Sequence, residues 1–399
     1  MVASFRDGRS DVVRVEGLDV DLLRVAGIYG PNAAGKSNVL AALAFMREAV
    51  ADARRQWRPE GPIPREPFLL DATSREEPSL FEVDLLIQGV RYQYGFKLDS
   101  ERILEEWLYV YPKKRRQVWF ARDADAAEPF FFGKELKGSN RTIEGLTRKN
   151  RLFLSMAAEY NHPALGPLYY WFSKGLFHLD GEARLKATLA TMEMLDGRYR
   201  EKILEFLRLA DLGIVDLQVK EEKTSLTIAE MMELIREGAM PTDSSDVYRL
   251  ELRHRSKGGQ VSLPFEKESR GTQVWLALLG PLLETLESGG ILCIDELDTS
   301  LHPHLAAELL RIFLDSKRNP QNAQLIFNTH DATLLGNLLG APSLHRDQIW
   351  FVDKDEEGAT YLYPLTDFKP RKLENLERGY LQGRYHAIPF IEASLNQNA

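Results

Sequence analysis

Three short apolar runs stand out from an otherwise mixed chain: "LLRVAGIY" at 22–29, "ILCI" at 291–294 and "LIF" at 325–327. Each is a few residues long, carries no charge except Arg24 in the first, and is followed by small or polar residues. That pattern predicts strands buried on both faces, as in a parallel sheet. "SNVLAALAFMREAV" follows the first run with apolar residues at helical spacing. "HLAAELLRIFLDSKR" separates the second run from the third by the length of one helix. The last two runs therefore form a β–α–β unit, with both strand ends on the same edge of a sheet. Residues 79–123 change pattern and alternate apolar with polar between glycine-containing turns, which predicts an antiparallel meander of three or four strands. Residues 140–240 are mostly helical by period, and a further helix carries apolar residues at 274, 275, 278, 279, 282 and 283. "MPTDSSDVY" at 240–248 reads as a loop. The expected division is an N-terminal lobe at 1–125, a helical insertion at 126–258 and a C-terminal lobe at 259–399, in an α/β chain.

Composition narrows the class. The chain has 399 residues, 44% hydrophobic and 28% charged, within the range of a globular protein. No apolar run is long enough to span a bilayer, and "MVASFRDGRSDVV" is too polar for a signal peptide. Cys293 is the single cysteine, which excludes an intramolecular disulfide and fits a reducing cytoplasm. A net charge of −8 argues against a bulk electrostatic grip on nucleic acid. Two local basic runs remain, "PKKRRQVWFAR" at 112–122 and "RTIEGLTRKNR" at 141–151. Such runs are ordinarily solvated faces; contact with nucleic acid is the other reading.

The chemistry begins after the first buried run. "GPNAAGKS" fits G-x-x-x-x-G-K-[ST], with Gly30, Gly35, Lys36 and Ser37 at the fixed positions. Glycines let backbone N–H groups close around phosphates, and the following helix adds the positive end of its dipole. Lys36 reaches the β- and γ-phosphates and Ser37 Oγ binds Mg²⁺, with Asn32 and Asn38 beside them in the nucleotide contacts. The second run ends in Asp295-Glu296. An acid at the carboxyl end of such a strand holds Mg²⁺, so Asp295 takes the metal, and Glu296 orients the attacking water. The third run ends in Asn328-Thr329-His330. A histidine at a strand end is ordinarily structural, but here the β–α–β unit puts His330 on the edge that carries Asp295, as a γ-phosphate sensor.

These motifs together resemble the ABC/SMC-type ATPases, nearer the RecF- and OLD-like branch than the transporters. The string "DELDTSLHP" matches the family's acidic strand end and D-loop, which implies that Asp298 contacts nucleotide. "EKESRGTQVWLALLGPLLETL" matches its signature loop, with Ser269, Gly271 and Thr272 in place of the usual S-G-G, and His330 matches its switch histidine. The resemblance implies an ABC/SMC-type P-loop NTPase head with an antiparallel β lobe and an inserted helical lobe. It also implies a head-to-head homodimer, in which Ser269 and Gly271 of one subunit close over ATP held by Lys36 and Ser37 of the other. Two departures stand out. Only "ASFRDGRS" precedes the first strand where the family has an extra strand and an "N-F-R-S-F"-like element. "PREPFLLD" at 64–71 occupies the place of the Q-loop without a glutamine.

The remaining sequence bears on partners. "ALGPLYYWFSKGLF" reads as core packing rather than as a partner surface, and no coiled-coil periodicity lies between the motifs. "ENLERGYLQGRYHAIPFIEASL" is similar to the "G-R-Y-G-A-I-P" element of ATPases from bacterial antiviral gene pairs, with His386 where glycine is usual. No Toprim-like nuclease domain follows it. The expectation is a cytoplasmic ATPase, slow and partner-regulated, that dimerises on ATP and Mg²⁺. It would act as sensor or scaffold for a separately encoded effector, a nuclease or toxin, in antiviral defence. The alternative is a RecF-like DNA-binding ATPase of repair or chromosome maintenance.

Overall fold

The computed structural model describes the chain except residues 5–10, 16–18, 181–182, 211–212, 224–239, 242–245, 300, 341–342, 372–373 and 388–399. In chain order the strands are β1 (Val12–Val13), β2 (Leu22–Leu23), β3 (Val25–Tyr29), β4 (Ser79–Ile87), β5 (Val90–Leu98), β6 (Ile103–Tyr111), β7 (Gln117–Asp123), β8 (Phe130–Phe132), β9 (Leu176–Leu179), β10 (Ile214–Lys223), β11 (Met240–Pro241), β12 (Asp246–Ser256), β13 (Gly259–Pro264), β14 (Ile291–Ile294), β15 (Gln324–Asn328), β16 (Ile349–Lys354) and β17 (Thr360–Pro364). The helices used below are α1 (Lys36–Arg47), α2 (Asn140–Leu146), α3 (Phe153–Glu159), α4 (Gly166–Lys174), α5 (Ala183–Glu193), α6 (Arg200–Ala210), α7 (Arg270–Ser288), α8 (Pro303–Leu314) and α9 (Leu376–Leu381). The chain divides into two compact units. One comprises Met1–Leu23, Gly30–Leu176 and Phe351–Pro364, the other Arg24–Tyr29, Phe177–Trp350 and Leu365–Ala399.

In the first unit β4 to β8 form an antiparallel sheet in sequence order. The predicted meander is present, with β8 added beyond its expected end. Its inner face, Tyr94, Phe96, Leu108, Val110 and Phe120, packs with α3 and α4. From the aromatic stretch of α4, Leu168 and Phe172 are fully inside, whereas Tyr170 is 66% exposed. The two basic runs also divide. Lys113 to Arg116 are exposed around the β6–β7 turn. Arg122 and Arg151 are buried, Arg122 donating to the Arg151 carbonyl at 2.8 Å and Arg151 to that of Trp57 at 2.7 Å. Ahead of the glycine-rich loop, β1 and β2 pair antiparallel and Val2 bridges to Leu22, forming a short ribbon.

In the second unit β3, β15 and β14 are parallel neighbours, with β9 outside β14. All five residues of β3 are buried, as a two-sided parallel strand requires. The segment 126–258, expected as a helical insertion, supplies helices and strands alike. β10, β11 and β12 lie there and join β13, just beyond its end, in an antiparallel sheet. Leu250 and Leu252 of β12 are buried at a spacing of two between charged neighbours at 249, 251 and 253, the alternation of a half-exposed strand rather than the period of a helix. The loop expected at 240–248 is corrected in the same way: Met240–Pro241 and Asp246 onward pair in this sheet, and 242–245 lies outside the described residues.

The long helix α7 contains Pro281. A proline in a helix interior leaves the carbonyl four residues earlier without its N–H partner. That carbonyl belongs to Ala277, and Thr191 of α5 lies 3.4 Å from it through Oγ1. The same Thr191 Oγ1 accepts from the Gly280 N–H at 2.8 Å. A Cβ at Gly280 would stand 3.1 Å from the Thr191 backbone, so glycine permits this close approach of the two helices.

Candidate functional site

The two halves of the predicted site fall in different units. The first is the loop 30–35, entered from the buried β3 and followed by α1. Gly35 has φ +95°, a backbone that side-chain-bearing residues avoid. Lys36 is buried, and its Nζ donates to the carbonyls of Gly30 and Pro31, both at 3.0 Å. The ammonium is folded onto the loop it serves, satisfied by carbonyls that phosphate oxygens can replace. Asn32, Ser37 and Asn38 are exposed at the loop surface. The β16–β17 hairpin backs the loop. Thr360 Oγ1 donates to the Ala34 carbonyl at 2.9 Å, and the Val352 carbonyl lies 2.6 Å from where a Gly30 Cβ would be.

The second half is built at the ends of β14 and β15. The register pairs Ile294 with Phe327, so Asp295 and Asn328 come next, side by side. Asn328, fully buried, donates from Nδ2 to Asp295 Oδ1 and accepts the Glu296 N–H at 2.6 Å through Oδ1. One amide thus aims the first carboxylate and fixes the backbone of the second. Glu296 sits at φ +52° with its side chain exposed. That conformation is costly for a residue with a Cβ and clusters at functional positions. Asp298 accepts the His330 N–H at 3.1 Å and the Thr329 hydroxyl at 2.7 Å through Oδ1. The expected D-loop and switch segments are therefore tied together. Ser300, within the quoted D-loop, lies outside the described residues.

Ser269 is the N-cap of α7, its Oγ accepting the Thr272 N–H at 3.1 Å, with Gly271 in the first turn. The helix runs 19 residues, so its N-terminus carries a full dipole end. At 64–71 there is no regular element, and Leu69 and Leu70 are exposed.

Two supporting residues escaped the sequence reading. Asn328 was visible only as a strand end, although its adjacency to Asp295 follows once the parallel register is known. Thr360 has no local signal at all, since its partner is 326 positions away. The Ser37 hydroxyl and the Asp295 carboxylate are each oxygen donors of the kind Mg²⁺ takes.

A strand–loop–helix with this glycine-rich loop, and an acidic pair ending a parallel strand, define a P-loop NTPase. The chain matches the family described as "AAA domain, putative AbiEii toxin, Type IV TA system" over residues 25–336, most of its length, and it belongs to that family. No curated protein matches it. Solved structures similar to it include an Smc head bound to the C-winged helix domain of ScpA, at 12% identity over 91% of this chain and 94% of that one, TM-score 0.43. Another is the SMC head domain from Thermotoga maritima, at 13% over 88% and 96%, TM-score 0.39. A third is an Smc head with an extended coiled coil bound to the C-terminal domain of ScpA derived from Pyrococcus furiosus, at 13% over 94% and 98%, TM-score 0.33. Among the described residues no helix is long and apolar enough to cross a membrane.

Proposed function

We propose that the chain binds and hydrolyses ATP, dimerises head to head on it, and acts as sensor or scaffold for a separately encoded effector in antiviral defence. The observation that supports this most is the state of Lys36, a buried ammonium held by two carbonyls of its own loop. Lys36 and the loop N–H groups hold the phosphates, with Asn32, Gly35 and Asn38 beside them. Ser37 and Asp295 hold Mg²⁺, which supplies charge neutralisation at the phosphates. Glu296 orients water, with its backbone N–H fixed by Asn328, and His330 senses the γ-phosphate. Asp298 ties the His330 backbone to the D-loop. Ser269 and Gly271 serve the nucleotide of the second subunit, through the hydroxyl and N–H groups at the start of α7. The family's description names a putative toxin of a type IV toxin–antitoxin system, which supports a role in a paired system.

Glu296→Gln keeps the shape of the residue and removes its basicity. Phosphate release should fall on the order of 10²-fold or more, with ATP affinity retained. Turnover at the parent rate would place the base elsewhere. The second reading, a nucleic-acid-binding repair ATPase, rests on the exposed Lys113–Arg116 turn. Purifying the Glu296→Gln chain from its host with Mg·ATP separates the two: a stoichiometric small protein supports the effector reading, and bound DNA without one supports repair.

A further inference from the structure

We infer that Thr360 is a positioning residue for the phosphate loop, holding its central peptide in the orientation that nucleotide binding needs. The inference rests on the reading of residues 30–37 as a nucleotide-binding loop. Thr360 Oγ1 donates to the Ala34 carbonyl at 2.9 Å. A trans peptide points its C=O and the following N–H in opposite directions. Fixing the Ala34 carbonyl on Thr360 therefore turns the Gly35 N–H away from the hairpin, toward the open side of the loop where a phosphate oxygen can accept it.

Threonine does this with both branches. Its Oγ1 and Cγ2 crowd the position where a Gly35 Cβ would be, the methyl at 2.9 Å. The absent side chain of Gly35 and the branched side chain of Thr360 are complementary, and this is a second reason, beyond its φ of +95°, why position 35 is glycine. The hairpin that presents Thr360 is itself organised in advance. Asp355 Oδ1 accepts from the N–H groups of Glu357 at 3.1 Å and Ala359 at 2.7 Å. The Asp355 and Ala359 backbones close the turn, N to O at 3.0 Å. Leu70 packs against Gly358 in the same turn. Thr360 thus arrives at the loop from a rigid element, as precise positioning requires.

The test is nucleotide affinity in the full chain, by calorimetry with Mg·ATP, for Thr360→Val, Thr360→Ser and the parent. Valine keeps the branched shape and loses the donor; serine keeps the donor. The expected result is an affinity loss of about 5- to 10-fold in Thr360→Val, the worth of one hydrogen bond, restored in Thr360→Ser, with matching melting temperatures. Parent-like affinity in a folded Thr360→Val chain overturns the proposal, as does equal loss in Val and Ser. If Thr360→Val does not fold, Thr360→Ala removes the same donor without bulk and decides the matter by the same criterion. Absence of binding by the parent chain overturns the nucleotide reading and this proposal with it. Normal binding by the parent and by Thr360→Val overturns the proposal alone.

Discussion

His386 has φ +66°. Glycine is the residue suited to this backbone, because the left-handed region costs a residue with a Cβ roughly 1–2 kcal/mol. In this chain the His386 ring lies tilted on Phe368, centroids 5.9 Å apart, and that contact offsets part of the cost. Removing the ring in two ways separates the terms. His386→Gly should be more stable than His386→Ala by about 1 kcal/mol in denaturant unfolding, since both lose the contact and only alanine keeps the strain. Equal stabilities would show that the strain is relieved elsewhere. His162 is a different case. Its Nδ1 accepts the Ala164 N–H at 3.3 Å, so Nε2 carries the proton and faces Asn140 Oδ1 at 2.9 Å. Burial lowers its pKa below the ordinary 6.5. The unfolded chain then takes up this proton at a higher pH than the folded one, so the stabilisation is complete above 6.5 and lost as pH falls through the folded value. Melting temperatures should decline between pH 7.5 and 5.5, and His162→Phe should flatten that decline; an unchanged slope would assign it to other groups. At this scale the sequence was legible where chemistry is local. Lys36, Ser37, Asp295 and Glu296 each sit in a short motif whose residue types announce their task. Asn328 and Thr360 act through partners remote in the chain, and no nearby pattern marks them.

Helix α7 connects the predicted signature loop to the interior of the second unit, and its weak point is the Pro281 gap. Thr191 closes that gap from α5 by accepting from Gly280 and approaching the carbonyl of Ala277. Thr191→Val preserves the shape and removes the hydroxyl to which the buried Gly280 N–H donates, which costs about 0.5–1.5 kcal/mol. Gly280→Ala improves helix propensity by about 1 kcal/mol yet forces a methyl against the Thr191 backbone, and overpacking costs about 1–3 kcal/mol. Both variants should lower the unfolding free energy; a stabilised Gly280→Ala chain would mean the helices separate without loss. The elements themselves were mostly visible in advance. The buried strands, the meander and α7 follow from period and length. The sheet of β10 to β13 was not read, although Leu250 and Leu252 alternate with charged neighbours as a half-exposed strand does, and the pairing of β10 with β12 joins segments some way apart in sequence.

At the scale of the molecule, the glycine-rich loop and the signature helix belong to separate compact units. The family resemblance assigns them to one nucleotide only through a second copy of the chain. Linkage makes that assignment measurable. A ligand at about 100 times its dissociation constant stabilises the folded state by roughly 2.7 kcal/mol, whatever the protein concentration. If ATP also joins two subunits, the stabilised species is a dimer, and its melting temperature rises with protein concentration as well. The Glu296→Gln chain with Mg·ATP should therefore melt higher at 50 µM than at 1 µM, an interval of concentration chosen to span about 2 kcal/mol of association free energy. Without nucleotide the two concentrations should coincide. Lys36→Ala should lose both the nucleotide-induced shift and its concentration dependence, and Ser269→Ala should keep the first and lose most of the second. That last contrast carries the composite-site assignment, because Ser269 caps α7 in the second unit whereas Lys36 and Ser37 belong to the first. Retained concentration dependence in Ser269→Ala would place the intersubunit contact on another surface, and a shift independent of concentration in Glu296→Gln would leave a nucleotide-binding monomer.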